Sequence, residues 1–267
     1  MTNEILKITL VQTDLIWENP QENLKALEEF LTALPNDTDL VVLPEMFTTG
    51  FSMNAENISS TWTSENKILH WLQQKARQYN AAFTGTIPVR DKNHFYNRLL
   101  WVEPDGNCQF YDKRHTFSFA GEDKVYSKGD NKLLIHWRGW RICPLICYDL
   151  RFPVWSRNRI NNDTADFDLL IYVANWPSVR NYPWRQLLIA RSIENVSYVA
   201  GCNRIGTDAN GHEYSGHSMV IDFKGEIITQ TSENISTLLT ATCDFKELQN
   251  FRNKFPALRD SDTFRIE

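Results

Sequence analysis

The sequence predicts an α/β fold of two packed sheets with helices outside them. Three observations carry that expectation. Strand-like and helix-like patterns alternate from one end to the other, several strand patterns are uninterrupted apolar runs of the kind buried on both faces, and no shift in composition marks a linker. A length of 267 residues would allow two average domains, but the unbroken alternation argues for one unit spanning 1–267. Hydrophobic residues at 42% supply enough apolar side chain for a sizeable core.

Residues 6–12 alternate apolar and polar and read as a strand. Residues 20–34 then place Leu24, Leu27, Phe30, Leu31 and Leu34 at helical spacing. Residues 39–45 are a continuous apolar run closed by Pro44, so Glu45 falls at a strand's C-terminal end. Ile68, Leu69, Leu72 and Ala76 make 63–79 a helix, and 81–89 reads as the next strand. Segments 95–101 and 109–113 flank Glu103-Pro-Asp-Gly106 as a hairpin, with Lys113 at the end of its second arm. Strands 132–137 and 141–148 surround the Arg138-Gly139 turn, which brings Cys147 to a strand end. A buried strand at 168–174, a helix at 182–195, a strand at 197–202 and a hairpin at 218–229 around Lys224-Gly225 complete the alternation. The tail from about residue 245 is expected to be ordered loosely or against a partner.

Charge and composition exclude several classes of function. With 28 basic and 33 acidic residues the net charge is −5, which leaves no basic footprint for nucleic acid or an anionic membrane. No apolar run reaches the roughly 18 residues of a membrane span, and the N-terminus does not read as a signal peptide. Five sparse cysteines fit a reducing cytoplasm. Cys143 and Cys147, four residues apart on a strand, are separated by roughly 13 Å and lie beyond disulfide reach. Among the six histidines no pair has the i, i+4 spacing of a helical zinc site, so neither a metal nor another cofactor is expected.

Four ionisable groups fall just past predicted strands, where α/β folds gather their active sites: Glu45, Lys113, Glu122 and Cys147. A thiol attacks as thiolate and needs a base or a cation at neutral pH. Glu45 suits the base and Lys113 the cation. Taken singly, each has an ordinary alternative: Glu45 as a salt-bridge carboxylate, Lys113 as a solvated lysine, Cys147 as a small buried hydrophobe.

The surroundings favour chemistry. Leu43-Pro-Glu45, Tyr111-Asp-Lys-Arg-His115 and Cys147-Tyr-Asp-Leu-Arg-Phe-Pro153 closely resemble the carbon-nitrogen hydrolase (nitrilase) superfamily, in its order and spacing. Trp137-Arg-Gly-Trp-Arg141, Val173-Ala-Asn-Trp-Pro177, Ile193-Glu-Asn195 and Gly201-Cys-Asn-Arg204 are most similar to its bacterial omega-amidase branch. The resemblance implies a four-layer α-β-β-α sandwich, a homodimer and a small-molecule amide substrate, a 2-oxo acid such as 2-oxoglutaramate or 2-oxosuccinamate. It also implies Glu45 as base, Cys147 as nucleophile, Lys113 and the Tyr148 N–H as oxyanion donors, and Glu122, ahead of Gly129-Asp130, as the second glutamate. Asp123 is the neighbouring candidate for that last position. Arg151, Arg114, His115 and Trp176 are candidates for substrate contact. A carbamoylase, a nitrilase, a general aliphatic amidase or an acyltransferase would use the same nucleophile, and a non-catalytic interaction module would keep the scaffold.

Overall fold

The computed structural model describes residues 4–266. Among them, one sheet runs in the order Thr237–Asp244, Ile5–Gln12, Leu40–Val42, Ala82–Asp91, His94–Val102, Cys108–Asp112, with the short Ser60–Thr61 strand also paired to Ala82–Asp91. The second runs Ile227–Gln230, Met219–Ile221, Tyr198–Asn203, Leu169–Ala174, Trp140–Ile146, Ile135–Trp137. In each sheet three central strands are parallel, so their C-terminal ends open on one side. Antiparallel strands form the flanks.

The sheets face each other across one hydrophobic core to which both contribute, including Ile8, Leu10, Leu40 and Leu99 from the first and Ile142, Leu145, Leu170 and Val199 from the second. Their approach is close enough for the Cys202 thiol, in the second sheet, to reach the carbonyl oxygens of Val11 and Val42 in the first, at 3.4 and 3.3 Å. Helices Pro20–Leu31 and Lys67–Tyr79 cover the outer face of the first sheet through Leu27, Leu31, Ile68, Leu69 and Leu72. Helix Asn181–Asn195 covers the second through Trp184 and Leu188. Gly201 allows that docking, since a Cβ there would lie 2.5 Å from Leu188 Cδ1. The order of layers is helix, sheet, sheet, helix.

Three departures from the sequence expectation have physical reasons. The helix predicted at 63–79 begins at Lys67, because the Asn66 side chain caps it by accepting from the N–H groups of Ile68 and Leu69. The strand Thr237–Asp244 has no counterpart in the sequence reading. Its inward positions Leu239, Ala241 and Cys243 alternate correctly, but two of them are small and give a weak apolar signal. The segment from 245 is a helix, Phe245–Lys254, docked on the body of its own chain: Leu248 is buried, and Arg252 bonds Asp168 at 2.6 Å and the carbonyl oxygens of Val196 and Phe167.

Candidate active site

Glu45 follows the Leu40–Val42 strand in a tight turn, where Pro44 offers no N–H and Met46 adopts a φ of +42°. The turn is tied to the next strand by Met46 N–H donating to Thr86 Oγ1 at 2.7 Å and Phe47 N–H donating to the Thr86 carbonyl. Asn175, at the end of Leu169–Ala174, grips Glu45 from the other sheet. Its backbone N–H donates to Oε2 at 2.8 Å and its side-chain amide donates to the Glu45 carbonyl. Lys113 leaves the Cys108–Asp112 strand with its N–H bonded to the Asn97 carbonyl and its own carbonyl accepting from Gly129, both at 3.0 Å. Only glycine fits at 129, because a Cβ there would lie 2.1 Å from the Asp112 carbonyl oxygen.

Cys147 opens the short 3-10 helix Cys147–Arg151 at the end of Trp140–Ile146, with a φ of +41°, a region that side-chain-bearing residues rarely occupy. The buried carboxylate of Asp149 holds this turn. Its Oδ2 accepts from Ile146 N–H at 3.0 Å and the Tyr111 hydroxyl at 2.8 Å; its Oδ1 accepts from His115 N–H at 3.1 Å and the His115 ring Nδ1 at 2.7 Å. The cysteine motif and the lysine motif are thereby bolted together.

The ionisable groups converge. Lys113 Nζ lies 2.8 Å from Glu45 Oε1 and 2.9 Å from Glu122 Oε2, and all three residues are fully buried. Asn97 Nδ2 donates to both carboxylates, at 2.8 and 3.2 Å. Burial works against the Lys113 ammonium, but the carboxylates of Glu122 and Glu45 more than offset it and hold its pKa above the usual lysine value. Burial raises the Glu122 carboxyl, opposed by Lys113 and assisted by Glu45. The Cys147 thiol is pushed well up, first by burial and then by Glu45, with Lys113 pulling the other way. The site therefore disfavours the thiolate beside Glu45, an arrangement suited to proton transfer during attack.

Glu45, Lys113 and Cys147 line a cavity of about 630 Å³. Of the residues singled out from sequence, Glu45, Lys113, Cys147, Tyr148, Arg151 and Trp176 line it. Glu122 lies behind Lys113, and its neighbour Asp123 points to solvent. Tyr148 N–H lies in the first turn of its helix, where i→i+3 bonding leaves leading donors free. Arg114 and His115 do not line the cavity. Arg114 pairs with Asp130 at 3.6 Å and lies over Trp155, and the His115 ring is held by Asp149 and stacked on Phe152 at 3.8 Å. Sequence reasoning missed Asn97, Asp149, Asn175 and Arg180. Asp149 and Asn175 sit inside the quoted motifs and Arg180 three residues beyond one, whereas Asn97 lies in a hairpin strand with no local signal.

Similarity to known proteins extends over nearly the whole chain. The carbon-nitrogen hydrolase family model matches residues 7–253. The chain is 46% identical over 261 residues to omega-amidase YafV of Escherichia coli strain K12, covering 98% of each protein. It is 30% identical to the 2-oxoglutaramate amidase of Bacillus subtilis strain 168, over 95% of this chain and 96% of that one. Among solved structures, XC1258 of Xanthomonas campestris, a CN-hydrolase superfamily protein with an arsenic adduct in its active site, superimposes with a TM-score of 0.95 at 42% identity, covering 98% of this chain and 99% of that one. Saccharomyces cerevisiae Nit3, of the nitrilase superfamily, gives a TM-score of 0.82 at 25% identity, covering 96% of both.

Proposed function

The chain belongs to the carbon-nitrogen hydrolase family and is a hydrolase of amide C–N bonds; from that premise we propose that it is a thiol-dependent omega-amidase, releasing ammonia from the terminal amide of short 2-oxo acids. Glu45 takes the Cys147 proton as the sulfur attacks the amide carbon, forming a tetrahedral intermediate whose oxygen is met by Lys113 Nζ and Tyr148 N–H. The intermediate expels the nitrogen, which takes the proton from Glu45 and leaves as ammonia. Water then gives a proton to Glu45 and attacks the thioester; collapse of that second intermediate returns the proton to the sulfur and releases the 2-oxo dicarboxylate. Glu122 orients Lys113. The sequence reading adds a homodimer and a cytoplasmic setting, the latter in keeping with five free cysteines.

The observation that carries the choice of substrate is Arg151. Its guanidinium shares the cavity with Cys147 and rests 4.9 Å from the centre of the Trp176 ring, without an ion pair to any carboxylate among the described residues. A charged-end substrate fills that vacancy, and a neutral amide leaves it unpaired, a difference of about 10²-fold or more in kcat/KM. Ammonia release from 2-oxoglutaramate and 2-oxosuccinamate is to be compared with butyramide and an aliphatic nitrile. Equal or faster turnover of the uncharged compounds rejects the omega-amidase reading. Cys147→Ala is expected to fold and to be inactive, with rapid-mixing mass spectrometry of the unaltered enzyme showing an acyl adduct on Cys147.

A further inference from the structure

We infer that Arg180 is a specificity-determining residue of this site, joining Arg151 in holding the carboxylate and 2-oxo oxygens of the substrate; the inference rests on the omega-amidase reading and names a second cation for it. Arg180 closes the 3-10 turn Ser178–Arg180, five residues after Asn175, which grips Glu45. Trp176 Nε1 donates to the Arg180 carbonyl at 2.7 Å and fixes that backbone. The guanidinium lies 5.5 and 5.9 Å from the ring centres of Phe117 and Phe119, both of which line the same cavity.

The electrostatics of the cavity wall leave this cation for a ligand. Beyond the catalytic pair Glu45 and Lys113, two carboxylates line it, and both are engaged. Glu18 accepts from Ser52 Oγ and Asn54 Nδ2, and Asp208 accepts from the Tyr214 hydroxyl and the N–H groups of Asn210 and His212. Among the described residues no carboxylate forms an ion pair with Arg180. Inside the site, Glu45 and Glu122 outnumber Lys113, so an anionic substrate is repelled at the reacting end and must be drawn by cations at the other. A 2-oxo acid presents three acceptor oxygens at that other end. One guanidinium fork satisfies two of them; a second, braced on aromatic rings, takes the third without reorganising.

The test uses Arg180→Met and Arg180→Lys. In Arg180→Met, kcat/KM for 2-oxoglutaramate is expected to fall by about ten-fold or more, chiefly through KM, while that for butyramide stays within about two-fold. Arg180→Lys restores part of the loss, as it keeps the charge but not the fork. An unchanged value for 2-oxoglutaramate, or an equal loss on both substrates, overturns the assignment. Calorimetry separates its failure from that of the omega-amidase reading. Cys147→Ala enzyme, with and without Arg180→Met, is titrated with 2-oxoglutarate. Should butyramide prove as good a substrate as the 2-oxo amides, the omega-amidase reading falls, whereas a Kd about ten-fold weaker with Arg180→Met keeps Arg180 as the anion contact. The same Kd in both proteins, or no binding to either, overturns it.

Discussion

The thiol of Cys147 is held protonated by its surroundings, and Glu45 is the charged group that most disfavours the thiolate. The sign of its removal follows. Glu45→Gln takes away a negative charge, so the apparent pKa of Cys147, read from the pH dependence of iodoacetamide alkylation, is expected to fall. Amidase activity in the same variant is expected to drop by about 10³-fold or more, because the proton acceptor is gone. A thiol made more reactive in an enzyme made less active separates the role of base from simple packing. An alkylation pKa that rises or stays put contradicts it. Glu45, Lys113 and Cys147 are legible in the sequence because each is a reactive group just past a strand inside a motif. Asn97 is not legible, since a neutral amide in a hairpin strand carries no charge signal and its partner Glu45 lies 52 residues away.

One element, the turn from Ile146 to Arg151, holds Cys147, the proposed nucleophile, at a strand end with left-handed backbone. Its conformation is held by the four hydrogen bonds to Asp149, which join it to Tyr111 and His115 on the lysine motif. Asp149→Ala would leave the Ile146 N–H and the Tyr111 hydroxyl buried without that acceptor, each costing about 1–3 kcal/mol, and would release the half-buried His115. A loss of stability of about 3 kcal/mol or more is expected in urea unfolding, with reduced activity from the misaligned thiol. Stability within about 0.5 kcal/mol of the unaltered protein would mean that other contacts hold the turn. The strand and helix patterns were enough to place both ends of this network in order along the chain. They could not bring the ends together, because the pairing of Tyr111 with Asp149 depends on how two sheets stack rather than on local periodicity.

At the scale of the whole molecule, the homodimer that the resemblance implies needs a face, and the side chains of residues 182–203 divide between the chain's own core and its surface. Trp184, Leu188 and the strand Tyr198–Asn203 are buried in the chain's own core. What points outward on the opposite side of the helix is Tyr182 and Ile193, with the half-buried Ile189 between them. Tyr182 is 76% exposed and Ile193 52%. Ile189 and Ile193 lie against the Gly225 turn, which leads into the Ile227–Gln230 strand, where Ile228 is 42% exposed. Exposed apolar side chains grouped on one helix are candidates for an interaction face. We propose that a second copy covers it, related by a twofold axis that brings the two helices together. Light scattering at micromolar concentration is expected to give about twice the 31.2 kDa chain mass. Ile193→Glu is expected to give the single-chain mass with an unchanged circular dichroism spectrum, because the new carboxylate would face its own copy across the axis. A monomeric unaltered protein would reject the dimer; a dimer that survives Ile193→Glu would move the interface elsewhere on the surface.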